Sequence, residues 1–135
     1  MKIAFLLTPK SELLYENDDA TMRQLIERME HHGYSAIPII DEAGKYQGTI
    51  TEGDVLRKIK NTEELTFGDT NKVTVDQIPM KRKHHAVTIN AEVDEIIQLS
   101  KSQNFIPVVD DEGVFIGIIK RSDVIDYCYK KIKNP

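Results

Sequence analysis

Read as hydrophobic and polar positions, the chain repeats itself. Ala36-Ile37-Pro38-Ile39-Ile40-Asp41 is followed by Gly44, by Gly48-Thr49-Ile50-Thr51 and by Asp54-Val55. Phe105-Ile106-Pro107-Val108-Val109-Asp110 is followed by Gly113, by Gly117-Ile118-Ile119-Lys120 and by Asp123-Val124. Each landmark of the second copy lies 69 residues after its counterpart, from Pro38 to Pro107 and from Asp54 to Asp123, with no gap. A fixed period means one supersecondary unit used twice. It divides the chain into a first repeat, 1–69, and a second, 70–135.

Within the first repeat, Ile3-Ala4-Phe5-Leu6-Leu7 is a short apolar run closed by Pro9, which predicts an extended or turn-like lead-in. Leu13-Leu14-Tyr15 is a brief strand candidate, and Asn17-Asp18-Asp19 offers N-cap oxygens to a helix starting at Ala20. From 20 to 32, Met22, Leu25, Ile26 and Met29 recur at three- and four-residue steps, the period of a helix with one buried stripe, and Gly33 stops it. Residues 34–40 form a β-branched run, turned by 41–44 into 45–51, which predicts two adjacent strands. Pro38 has no N–H to give a ladder and is expected at an edge or beside a ligand space. Glu52-Gly53-Asp54 opens a second helix over 55–60, and 61–71 is a polar connector.

The second repeat returns this order, with 73–80, then Val87-Thr88-Ile89, then a helix over 91–102. Each half therefore reads β-α-β-β-α, an α+β architecture. Two strands and two helices cannot cover their own apolar faces, so the halves are expected to share one core. That packs them sheet to sheet about a pseudo-two-fold axis. Asp54 and Asp123 then start helices beside a symmetric cleft, where free backbone N–H groups favour anions.

Composition changes this picture little. The 135 residues are 40% hydrophobic and 30% charged with formal net charge −4, so no global attraction to nucleic acid is expected and any anion must meet a local cluster. The lone Cys128 has no partner for a disulfide or a cysteine metal site, which points to a reducing cytoplasm. The N-terminal run lacks the length of a signal core, and no run reaches the roughly 18 apolar residues of a membrane span.

Catalytic signatures are missing: there is no phosphate loop, dinucleotide fingerprint or nucleophile elbow. His31-His32 and His84-His85 are neighbours that point in different directions, with no carboxylate at a ligand spacing, so no metal site is expected. Thr51-x-x-Asp54 has two readings. A hydroxyl and a carboxylate bracketing a helix start suit a ribose diol and a nearby phosphate. The same spacing is also a capping box, and taken alone that is the simpler reading. The basic run Lys81-Arg82-Lys83-His84-His85 either neutralises phosphates or is a solvated face, and Lys81 and Arg82 are the better ligand candidates.

The duplicated hydrophobic-Pro-hydrophobic-hydrophobic-Asp, Gly, and Gly-hydrophobic-Thr-x-x-Asp pattern resembles a pair of cystathionine-β-synthase-type (CBS) domains forming one Bateman module, over essentially the whole chain. The resemblance implies two quasi-equivalent sites for an adenosyl ligand such as AMP, ADP, ATP, S-adenosylmethionine or cyclic di-AMP. Carried over by position, the first site joins Thr51 and Asp54 to Asn104, Phe105 and Ile106, with Met80, Lys81 and Arg82 nearby. The second joins Asp123, Lys120 and Arg121 to Tyr34, Ser35, Ala36 and Ile37, with Leu7, Thr8 and Lys10 nearby. Tyr34 and Phe105 are either stacking partners for adenine or core.

Lys120 departs from the pattern, standing where Thr51 stands in the first repeat. Three roles are open to it: a point charge for a phosphate, a plug in the site, or a solvated side chain. The intact Thr8, Ser35 and Asp123 favour a usable second site. The expected function is regulatory rather than enzymatic, with no catalytic cofactor. A cytoplasmic homodimer would sense an adenine nucleotide and pass occupancy to an unidentified target protein, with neither nucleic acid nor membrane as partner. The rival is a protein-interaction or structural module with a vestigial cleft.

Overall fold

The computed structural model describes residues 2–82 and 84–135; Met1 and Lys83, the middle of the basic run, lie outside the described residues. In chain order the elements are β1 (Thr8–Pro9), β2 (Glu16–Asn17), α1 (Met22–His32), β3 (Ala36–Ile40), β4 (Tyr46–Thr51) and α2 (Glu52–Asn61). Then come β5 (Val87–Thr88), α3 (Val93–Leu99), β6 (Phe105–Val109), β7 (Phe115–Lys120) and α4 (Arg121–Lys133). The α+β class and the β-α-β-β-α order of both repeats are as the pattern predicts.

The chain forms two compact units, Leu14–Lys83 and Met1–Leu13 with His84–Pro135. Each folded unit therefore contains the strands and helices of one repeat and the lead-in segment that precedes the other. In the Leu14–Lys83 unit the sheet order is β2-β3-β4, with β2 parallel to β3 and β3 antiparallel to β4. In the other unit the order is β1-β7-β6-β5, the same arrangement with one strand added.

The buried apolar side chains gather in two clusters, one in each unit. Met22, Leu25, Met29, Ile37, Ile39 and Ile50 anchor one, and Ile3, Ile96, Ile106, Val108 and Ile119 anchor the other. The alternation of β3 and β4 supplies one face of the first cluster and the helical stripe of α1 supplies the other. The same division of labour holds between β6, β7 and α3.

Several boundaries differ from the sequence reading, each for a local reason. The strand candidate at 13–15 is displaced to β2, because only Glu16 and Asn17 lie alongside Ile39 and Ile40. The N-cap of α1 is Thr21 rather than 17–19: its hydroxyl accepts from the Gln24 N–H at 3.1 Å, and the Gln24 side chain accepts from the Thr21 N–H at 2.9 Å. Residues 75–77, in the second lead-in segment, form a 3-10 turn. The third helix is shorter than 91–102 and spans Val93–Leu99.

Pro38 sits in the middle strand, yet β2 reaches only Ile39 and Ile40, so Pro38 is paired by β4 alone, opposite Thr49. Pro107 stands likewise opposite Ile118. Gly48 and Gly117 mark the places where each lead-in segment crosses a strand. A Cβ on Gly117 would lie 2.3 Å from the Thr8 carbonyl oxygen, and one on Gly48 would lie 2.5 Å from the Met80 sulfur. At Gly117 the obstacle is backbone and only glycine admits so close a crossing, whereas at Gly48 it is the end of a flexible side chain.

Candidate functional site

The β4-to-α2 junction carries the first pair of predicted site residues. Thr51 ends β4 opposite Ala36 and is the N-cap of α2, whose first N–H after it, from Glu52, donates to the Ser35 carbonyl at 3.0 Å. The Thr51 hydroxyl accepts from the Asp54 N–H at 3.2 Å, and the Asp54 carboxylate accepts from the Thr51 N–H at 2.9 Å, so the capping box is formed.

Asp54 does more than cap. Its side chain is 1% exposed, and its second oxygen accepts from the Lys81 N–H at 3.1 Å and from Arg57 Nη2 at 2.5 Å. One carboxylate thus ties together the end of β4, the first turn of α2 and the lead-in segment at Lys81. Burial pushes this carboxyl up, but the N–H groups of Thr51 and Lys81 and the Arg57 guanidinium outweigh it and hold the group below the usual aspartate value of 3.8.

Beside Asp54 lies a groove of about 410 Å³ whose walls include Arg57, Lys58 and Lys81. The walls thus carry three formally cationic residues and one carboxylate, a local excess of positive charge in a chain with net charge −4. Met80, 38% exposed, packs over Gly48, and Arg82 is exposed outside the groove walls.

The equivalent junction in the other unit is built differently. Lys120 ends β7 opposite Phe105, is exposed, and caps α4 with no side-chain bond. Asp123 is exposed where Asp54 is buried. It lines a groove of about 380 Å³ together with Leu7, Thr8, Asp126, Tyr127 and Lys130. The predicted Thr8 and Asp123 are therefore brought to one groove, whereas Lys10, Lys120 and Arg121 are not among its walls. Arg121 is committed elsewhere, its Nε donating to the carbonyls of Ser100 at 2.9 Å and Gln103 at 3.2 Å.

The strand residues of the prediction divide by burial. Ile37 and Ile106 are fully buried in the two cores, and Ala36 is half-buried. Ser35 and Asn104 are exposed and use their carbonyls to accept from the first residue of the following helix, Glu52 and Arg121. Tyr34 is 39% exposed, stacks on His32 with ring centroids 6.3 Å apart, and lines an apolar groove with Ile26, Met29 and Leu56. Phe105 is 9% exposed and stacks on His84 at 5.6 Å. His84 is thus half-buried, its ring set against that of Phe105.

Sequence reasoning missed three residues. Arg57 pairs with Asp54, and its helical spacing of three from a capping aspartate is a signal that was available. Asp126 stands at the matching position of the second repeat. Gln103, 4% exposed, accepts from the His85 N–H at 2.7 Å and donates to the carbonyls of His85 and Phe105, each at 3.2 Å. Nothing in a lone polar residue before a strand announces that role. Among the described residues no three His, Cys, Asp or Glu side chains are grouped to hold a metal, and no helix is long and apolar enough to cross a membrane.

The family model described as CBS domain matches residues 7–61 and 75–130. Cyclic di-AMP receptor B of Bacillus subtilis is 25% identical over 130 residues, covering 91% of this chain and 88% of that protein. A Methanopyrus kandleri protein is 29% identical over 111 residues, and the chain, matched over 78% of its own length, spans only 52% of that relative. A crystal structure of CbpB in complex with c-di-AMP superposes with a TM-score of 0.87 at 21% identity, covering 99% of this chain and 88% of that one. This likeness shows that the fold is shared.

Proposed function

Because the chain belongs to the CBS domain family, as a pair of repeats, we propose that it is a regulatory module that binds an adenine nucleotide or related adenosyl ligand. Occupancy is passed on as a change of conformation or of homodimer packing to a target protein in the cytoplasm. The observation that carries this reading is the buried Asp54 beside a cationic groove at the start of α2. A ribose reaches the Asp54 carboxylate when the Arg57 side chain moves aside, and the cations Arg57, Lys58 and Lys81 then meet a phosphate. The Bacillus subtilis relative, named for cyclic di-AMP and matched over most of its length, supports the ligand class. Thr51, Asp54 and Lys81, with Met80 and Arg82 flanking them, form the first half-site; Thr8 and Asp123 form the second, with Lys10, Lys120 and Arg121 outside its groove. The exposed Tyr34, Ser35 and Asn104 supply the adenine-facing surface of the sites, backed by the half-buried Ala36 and the buried Ile37, Phe105 and Ile106.

Thermal denaturation with AMP, ADP, ATP, S-adenosylmethionine and cyclic di-AMP tests the proposal. A true ligand at 100 times its Kd adds about 2.7 kcal/mol of stability. A melting temperature unmoved by all five removes the sensor reading. The Arg57–Asp54 pair favours one second reading, a module in which Asp54 serves only to lock the junction and the grooves are vestigial. That reading expects no shift with any of the five.

A further inference from the structure

The 69-residue period makes the two grooves comparable position by position, and their charges are opposite. Arg57, three residues after Asp54, becomes Asp126, three residues after Asp123; Lys58 becomes Tyr127, and Asn61 becomes Lys130. The Asp54 groove sets Arg57, Lys58 and Lys81 against one carboxylate. The Asp123 groove sets Asp123 and Asp126 against Lys130 alone, and Lys130 Nζ is already 3.1 Å from the Asp126 carboxylate.

We propose that the two grooves differ in the charge they admit: the Asp54 groove takes an adenosyl ligand with or without phosphate, and the Asp123 groove takes only a nucleoside without phosphate. This rests on the adenosyl-binding reading above and deepens it. Arg57 is the discriminating residue. Its guanidinium carries five N–H donors, and Asp54 engages it at Nη2 while the side chain remains 40% exposed on the groove wall. The rest of that fork has the planar geometry that suits phosphate. In the other groove a phosphate at the same place would meet the Asp126 carboxylate, and like charges at contact distance repel. Lys120, the departure most visible in the sequence, is not a wall of that groove and does not restore the missing charge.

Calorimetric titration of the whole chain with AMP and with adenosine tests the division. AMP is expected to saturate at one site per chain and adenosine at two. Arg57→Gln should weaken AMP about tenfold or more, the scale of one charge-assisted hydrogen bond, while leaving adenosine within about twofold. Arg57→Lys, which keeps the charge, should lose less. Asp126→Arg, at an exposed position, should open a second AMP site even if Arg57→Gln folds poorly. AMP filling two equal sites in the wild type, adenosine stopping at one site, or Arg57→Gln weakening both ligands alike each overturns the division while leaving the adenosyl reading intact. Binding of neither AMP nor adenosine overturns both.

Discussion

Asp54 and Asp123 occupy the same repeat position in opposite surroundings, so replacing each by alanine should give very unequal losses of stability. Asp54→Ala removes the acceptor for the Thr51 N–H, the Lys81 N–H and Arg57 Nη2 from a site that is 1% exposed. Loss of the capping bond costs about 1 kcal/mol. The bond from Lys81, charge-assisted and buried at the acceptor, contributes about 1.5 kcal/mol or somewhat more. The Arg57 pair is discounted to roughly 0.5 kcal/mol because the guanidinium stays solvated when its partner is gone. The total is about 3 kcal/mol, and at about 4 °C per kcal/mol for a chain of this size the melting temperature should fall by about 12 °C.

Asp123→Ala removes an exposed carboxylate, leaving only a helix-dipole contribution of roughly 0.5 kcal/mol or less. Its melting temperature should move by about 2 °C at most. Urea denaturation of both variants, without ligand, checks the pair. Equal destabilisation would refute the claim that the two junctions are built differently. The Asp54 contribution should also depend on acidity with a definite sign. Its carboxyl is held below the ordinary 3.8, so its stabilisation is fully present above that value and is lost as pH falls through the lower folded value. The stability gap between wild type and Asp54→Asn should therefore be widest near neutrality and shrink below about pH 4.

The glycine crossings make a second paired prediction. Gly117→Ala should destabilise more than Gly48→Ala, because the added Cβ meets the Thr8 carbonyl in one case and the flexible Met80 side chain in the other. Amide exchange at Ile118, the partner of Thr8, should accelerate only in Gly117→Ala; equal effects would contradict the crossing geometry. Gln103→Ala should cost about 2 kcal/mol by leaving the His85 N–H and the carbonyls of His85 and Phe105 without their partner. Chemical denaturation measures it, and a change below about 0.5 kcal/mol, the ordinary surface value, would sink the assignment.

The fold was legible because its determinants are periodic. The stripe Met22, Leu25, Ile26, Met29 has one helical reading, and the repeated β-branched run with its turn has one hairpin reading, so α1, β3, β4, β6 and β7 fall where the pattern puts them. The misplaced pieces are those whose conformation is decided by the groups they pack against. Residues 75–77 carry no period of their own: Val75 donates its N–H to the Ala20 carbonyl and Asp76 to the Asp18 carbonyl, and the segment closes into a 3-10 turn. Membership of Leu14–Lys83 or of its partner unit was equally hidden. A lead-in segment carries no periodicity of its own, and only the strand it meets, β7 for Thr8–Pro9, assigns it.

The candidate site was legible in its letters and not in its charges. Thr51-x-x-Asp54 and its shifted copy announce two matching helix starts, and the visible difference between them is Lys120. The structure moves the asymmetry elsewhere. Lys120 is exposed and makes no capping bond, while the third residue after each aspartate decides the surroundings. Arg57 folds back on Asp54, and with the Lys81 N–H it keeps a buried carboxylate ionised. Asp126 offers no cation in return and instead pairs with Lys130 one turn on, so Asp123 stays in solvent. Burying a carboxylate without a cation or donors is costly, so the partner at the third position determines whether the aspartate is drawn in or left out. A repeat can therefore keep its landmarks at constant spacing while its two copies diverge in burial and field, through side chains that the repeat pattern leaves unconstrained.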